Sequence, residues 1–142
     1  MKHKSTKYYK NRADRLFSLW VRQRDAGGNE VCGCITCGIF HSWRSMHCGH
    51  FMSRRHESTR YHEYNAHAQC VHCNTYDQGK QFEHGQAIDE LHRKKSVTDA
   101  NVANADRLCI LSKMECKRGW FDYKIIGDEL LEKLKANNYE IR

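Results

Sequence analysis

The chain has 142 residues, enough for one compact domain with extensions or for two very small ones. Lysine and arginine number 24 against 17 acidic residues, a net charge of +7 before ten histidines are counted, which favours a polyanionic partner and nucleic acid above all. No stretch approaches the ~20 apolar residues of a membrane span, which excludes a membrane as partner, and the hydrophobic content is only 39% with a mean hydropathy of −0.86.

In chain order, residues 2–25 read as a basic, partly amphipathic helix. Tyr9, Ala13, Leu16 and Trp20 fall at helical spacing with Phe17 beside them, and Gly27-Gly28-Asn29 stops it. Val31 to Cys37 predicts a short strand entering a metal knuckle. Ile39 to His50 predicts a hairpin that turns near His41-Ser42 and runs on through Trp43 and Met46 to Gly49-His50. Residues 51–60 are a polar, arginine-rich loop, and Tyr61 to Tyr64 a further short strand. A helix is expected from Cys70 to about Gly85, and a second from Gln86 to Lys95. Ser96 to Asn104 is turn-like. Leu108 and Leu111 open a helical tail, where Tyr123, Ile126, Leu130 and Leu134 recur at spacings of three and four. That stripe suits either a lid on the core or a dimer face. Apolar residues thin out between Cys48 and Lys95, so the middle of the chain needs a staple other than a hydrophobic core.

Eight cysteines supply one. The opening MKHKSTKYYK has no apolar signal core, which points to a reducing, cytoplasmic setting where C-x-x-C pairs bind zinc more often than they form bridges. Cys34/Cys37 and Cys70/Cys73 are two such pairs, separated by 32 residues. Four thiolates from two turns match structural Zn2+, which takes four tetrahedral soft ligands. Cys32 competes with Cys34 for the first position, and the x-x spacing favours Cys34. Cys48, Cys109 and Cys116 have no paired spacing. His72 lies inside the second knuckle, where the cysteines leave it no role as a ligand.

Such an ion has no open coordination position, so chemistry has to come from elsewhere. His50 follows a glycine at the end of a predicted strand between the knuckles, and imidazole titrates near neutrality as a general base must.

The order of a C-x-x-C knuckle, Gly49-His50, Asn65 and the closing Q-C-V-H-C-N resembles the HNH, or ββα-metal, endonuclease motif. LWVRQRD, CITCG, CGHFMSR, STRYHEYNAHAQCVHCN and the later QAIDEL together resemble the NinG/Rap recombination proteins of lambdoid phages, over roughly Leu19 to Leu91. The resemblance implies an α+β fold. Its centre is a small zinc-bound ββα-metal (HNH or treble-clef-like) core at 30–95, flanked by a basic helical extension at 1–29 and a helical region at 96–142.

It also implies a metal-dependent, structure-selective endonuclease for branched DNA such as Holliday junctions and displacement loops, acting in the cytoplasm of a phage's bacterial host. Carried over, His50 is the general base, Asn65 orients it through the hairpin backbone, and Asn74 binds a catalytic Mg2+ or Mn2+. Many HNH sites place an acidic ligand directly before the base, where this chain has Gly49. Asp77, one helical turn beyond Asn74, is the first candidate for the second ligand, followed by Glu83, His84, Glu57 and Glu63. Arg54 and Arg60 are candidates to grip the scissile phosphate, and Arg55 a candidate for contact with DNA. A four-way junction has two-fold symmetry, which suits a homodimer. The competing reading is a non-enzymatic zinc-stabilised module that binds DNA or RNA.

Overall fold

The molecule is described by a computed structural model covering residues 2–99 and 102–142, with the backbone alone at 94–98. Helix α1, Thr6–Ala26, begins where the Ser5 side chain accepts a hydrogen bond from the Tyr8 N–H, and ends at Gly27 in the left-handed conformation (φ 60°). Ala13, Leu16, Phe17 and Trp20 are buried along it as the spacing predicts, joined by Leu19 and Val21.

Strand β1, Val31–Gly33, pairs antiparallel with β2, Phe40–Ser42, in the register Val31↔Ser42, Cys32↔His41 and Gly33↔Phe40. The expected turn at His41-Ser42 is therefore wrong: these residues lie in a strand, and the hairpin closes over the first cysteine knuckle instead. Gly38 (φ 75°) makes that closure possible, its N–H donating to the Cys34 carbonyl at 2.9 Å.

Strand β3, His47–His50, pairs antiparallel with β4, Ala66–Gln69, in the register His47↔Gln69, Cys48↔Ala68, Gly49↔His67 and His50↔Ala66. The second strand sits further along the chain than Tyr61–Tyr64, because those residues form turns behind a short helix α2, Glu57–Arg60, in a segment expected to be loop. After β4 comes a π-helical turn, His72–Tyr76. Three consecutive residues with positive φ, Gln78, Gly79 and Lys80, then break the chain direction. One helix α3, Gln81–Thr98, follows, so the break falls at 78–80 and not near Gly85. Helices α4, Ala105–Ser112, and α5, Trp120–Ala136, complete the chain.

Helices α1 and α5 pack against each other, and α1 also packs onto the β3–β4 sheet. Their shared cluster of buried residues includes Leu16, Trp20, Trp43, Ala66, Leu130 and Leu134 together with knuckle cysteines. A smaller cluster of Phe51, Ile88, Ala103 and Leu108 holds α3 and α4. The end of α1 also completes the free edge of β4: Asp25 accepts the Ala68 N–H at 2.6 Å, and Arg24 donates to the carbonyls of Glu63 and Ala66 at 2.8 Å each. Among the described residues no helix is long and apolar enough to cross a membrane.

The C-terminal stripe is thus part of the main core. Leu134 is fully buried in it, and Leu134→Ala is expected to lower the unfolding free energy by about 2–5 kcal/mol, measured by urea denaturation. A loss below about 1 kcal/mol would show α5 to be a peripheral lid.

Candidate functional site

The two knuckles meet. The ligand atoms of Cys34, Cys37, Cys70 and Cys73 all lie within 4.8 Å of one another, and none is in a disulfide. Cys37 Sγ and Cys70 Sγ are 3.8 Å apart, the edge of a sulfur tetrahedron around an ion with Zn–S of about 2.3 Å. Backbone geometry supports thiolate character. The Cys70 N–H points at Cys34 Sγ (3.3 Å) and the Cys73 N–H at Cys70 Sγ (3.5 Å). Burial pushes the Cys34 thiol up, but N–H groups of Cys37, Cys70 and Thr36 outweigh it and bring the group down to about 7. Four clustered thiols of this geometry suit a structural zinc. Cys32 is buried in β1 and stands outside the cluster, which resolves its competition with Cys34. Burial drives the Cys48 thiol up to about 12, so it stays protonated.

The cysteine cluster bears directly on the sheet. The Ile35 N–H donates to the Ala68 carbonyl at 3.0 Å, joining the first knuckle to β4, and the second knuckle follows β4 without a break. This frame carries a cleft of about 670 Å³, lined on one side by Asp14, Phe17, Ser18 and Arg22 of α1. Its other walls are His47, Cys48 and His50 of β3, Ser53 and Arg54 of the following loop, and Asn74, Gln78 and Gly79 after the second knuckle.

His50 ends β3 half-buried, and its Nε2 lies 2.9 Å from the Arg60 carbonyl. A carbonyl only accepts, so Nε2 carries the proton and Nδ1 keeps its lone pair. Burial lowers the basicity of this imidazole, and the Arg54 and Arg60 charges add to that, against the opposing hydrogen bonds to the backbone of Arg60 and Cys48. His50 is therefore neutral at neutral pH, as a base must be before it acts.

Asn65 is fully buried. Its side chain accepts the Met52 N–H (2.8 Å) and donates to the carbonyls of Met52 (2.9 Å) and Thr59 (3.1 Å). It therefore clasps both ends of the loop that follows His50, and touches the backbone alone.

Asn74 lines the cleft with its amide 2.9 Å from His47 Nδ1. Asp77 does not join it, since its carboxylate pairs with Lys80 and His72, both at 3.2 Å. Glu57 is held by Lys10 and Arg118, while Glu63 and Glu83 are exposed outside the cleft. His47 is the residue that sequence reasoning missed. Its signal was the three-residue step to His50 in HCGH, obscured because ten histidines make any one pair unremarkable. Gly49 has a packing cause: a Cβ there would come within 2.8 Å of Gln69 Cβ across the sheet.

The arginines separate. Arg54 lines the cleft with no hydrogen bond or ion pair to its guanidinium among the described residues. Arg55 is exposed and, among the described residues, its side chain reaches only Ser53 Oγ at 3.5 Å. Arg60 is 9% exposed and committed to Asp14 through Nε (2.9 Å) and Nη2 (2.6 Å), so it is not free to grip a phosphate.

His84 is buried behind the sheet beside His67, ring centres 5.8 Å apart, and is likewise withdrawn from the cleft. Among the described residues, His67 Nδ1 and His84 Nε2 have no hydrogen-bond partner. Burial pushes His67 down to about 2 and His84 down to about 4.

The family model described as "Bacteriophage Lambda NinG protein" matches residues 1–107. No curated protein and no solved structure matches the chain.

Two outcomes follow from this geometry. Cys70→Ser removes one of four ligands whose binding energy is folding energy, so it should release zinc and unfold the β3–β4 region, read by metal analysis and circular dichroism. A folded, zinc-free variant would refute the clamp. The buried imidazoles set an acid limit. Their ordinary value is 6.5, so the unfolded chain binds protons first as pH falls. Their contribution is complete above 6.5 and is lost from there down towards 4. The urea midpoint of zinc-loaded protein should fall across that window, and His84→Gln should flatten the fall. An unchanged slope would contradict it.

Proposed function

The chain belongs to the bacteriophage lambda NinG family, and from that premise we propose that it is a phage recombination endonuclease. The substrate is branched DNA, cut by hydrolysis of a phosphodiester. The observation that carries this reading is the convergence in one basic cleft of a neutral, tautomerically fixed His50, a free Arg54 guanidinium and the Asn74–His47 pair.

His50 Nδ1 takes a proton from water as the oxygen attacks phosphorus. Asn65 keeps the loop after His50 in one conformation, so the imidazole is aimed before substrate arrives. Arg54 offers forked donors to the non-bridging oxygens of the scissile phosphate. Arg22 lies along the same wall and extends the positive surface that would track the backbone.

The donors of Asn74 and His47, an amide oxygen and an imidazole nitrogen, fit a divalent cation that keeps most of its waters and draws its remaining ligands from phosphate. When bound, Mg2+ or Mn2+ supplies neutralisation of the charge that develops on the phosphate and the leaving oxygen. His47 replaces Asp77 as the second ligand in this reading. The four-cysteine zinc is closed to substrate and serves as the frame. The substrate preference for branches rests on the family alone.

The test is cleavage of four-way, three-stranded and linear DNA in Mg2+ or Mn2+. His50→Ala should lose about 10²–10⁴-fold in rate and keep its affinity for the junction. Cleavage by His50→Ala at the wild-type rate would remove it as the base. A wild-type protein that binds branched DNA and never cuts it would favour the zinc-stabilised binding module instead.

A further inference from the structure

Resting on the reading of His50 as the base, we infer that Asp14 of α1 is a positioning residue that fixes the tautomer and orientation of His50 through Arg60. The Asp14 carboxylate accepts from Arg60 Nε at 2.9 Å and from Arg60 Nη2 at 2.6 Å, a bidentate pair. It also accepts from the Tyr61 hydroxyl at 2.7 Å. The third guanidinium nitrogen, Arg60 Nη1, donates to the Arg54 carbonyl at 2.5 Å. The Arg60 main-chain carbonyl is the acceptor for His50 Nε2 at 2.9 Å.

One carboxylate on a rigid helix thus fixes both ends of the 54–60 segment. At one end is the carbonyl that orients the base. At the other is the backbone of Arg54, whose side chain faces the cleft. The arrangement follows the rule that a ligand or base is held by the partner of its second nitrogen, and that this partner is itself held.

Helix α1 therefore does more than pack. It reaches into the cleft with Asp14 and Phe17, and the Phe17 ring lies 5.8 Å from the His50 ring. Titratable and charged groups surround His50 on every side. Asp14 comes from α1, Arg54 and Arg60 from the loop and α2, His84 from α3, and Cys48 from its own strand. His47 and Asn74 face the same cleft. Only Asp14 is negative among them. Without it, two guanidinium charges face the imidazole and one is left nearly buried without its partner.

Three measurements test this. Long-range ¹⁵N–¹H correlation on histidine-labelled wild-type protein should show His50 as a single Nε2–H tautomer, and Asp14→Ala should show a mixture. Cleavage by Asp14→Ala should lose about 10²-fold in kcat with KM for the junction and zinc content unchanged. Asp14→Asn removes the charge and keeps the shape, so the acid limb of its kcat profile should move to lower pH. An Nδ1–H or mixed tautomer in wild type would overturn the inference. So would Asp14→Ala with wild-type tautomer and kcat. If Asp14→Ala does not fold, the wild-type tautomer and Asp14→Asn decide the matter. A wild-type protein that cuts no DNA would defeat the nuclease reading, and the tautomer measurement would still judge Asp14.

Discussion

Four thiols separated by a loop of 32 residues have to converge on one point, and nearly everything near the cleft is positioned by that convergence. The two sheets are short, at most four residues per strand. Strands of that length do not hold themselves together in water. Joined at the knuckles, they become one frame: the β1–β2 hairpin wraps the first pair of cysteines, and β4 runs directly into the second. Zinc held by these four cysteines would in this sense be a folding term, since the preformed site does not exist in the unfolded chain.

From that frame the cleft follows by simple geometry. The register of β3 against β4 places His50 at a strand end, and the turn after Cys73 projects Asn74 toward His47. Gln69 occupies the space over Gly49, which leaves the sheet no room for an acidic side chain next to the base. Helix α1 closes the other wall. It supplies Asp14 for the Arg60 clamp and Asp25 and Arg24 for the edge of β4. Loss of packing along α1 and α5 would therefore be felt in the cleft as well as in stability.

Helices α1 and α5 were legible because their apolar residues recur at 3.6-residue spacing, and the knuckles because C-x-x-C is a local pattern. The family order of motifs singled out His50 and Asn74, which line the cleft, and Asn65, which is buried outside it and holds the backbone of the loop after His50. What sequence missed is non-local. The pairing of Val31–Gly33 with Phe40–Ser42 depends on the knuckle between them, and local propensity placed the turn at His41-Ser42 instead. Helix α2 is a single turn without an apolar stripe. No motif or spacing marks Asp14 on α1, yet it meets Arg60 across 46 residues. Asp77 and Arg60 had the right chemistry near the right motifs, but both are paired elsewhere. Neutralisation by a distant partner leaves no trace in spacing.

The frame itself is tested most directly by X-ray absorption at the zinc edge of the purified protein. A shell of four sulfurs at about 2.3 Å is expected. A shell containing nitrogen or oxygen, or a protein that carries no zinc and whose cysteines are joined in disulfides, would contradict the structure on which the cleft depends.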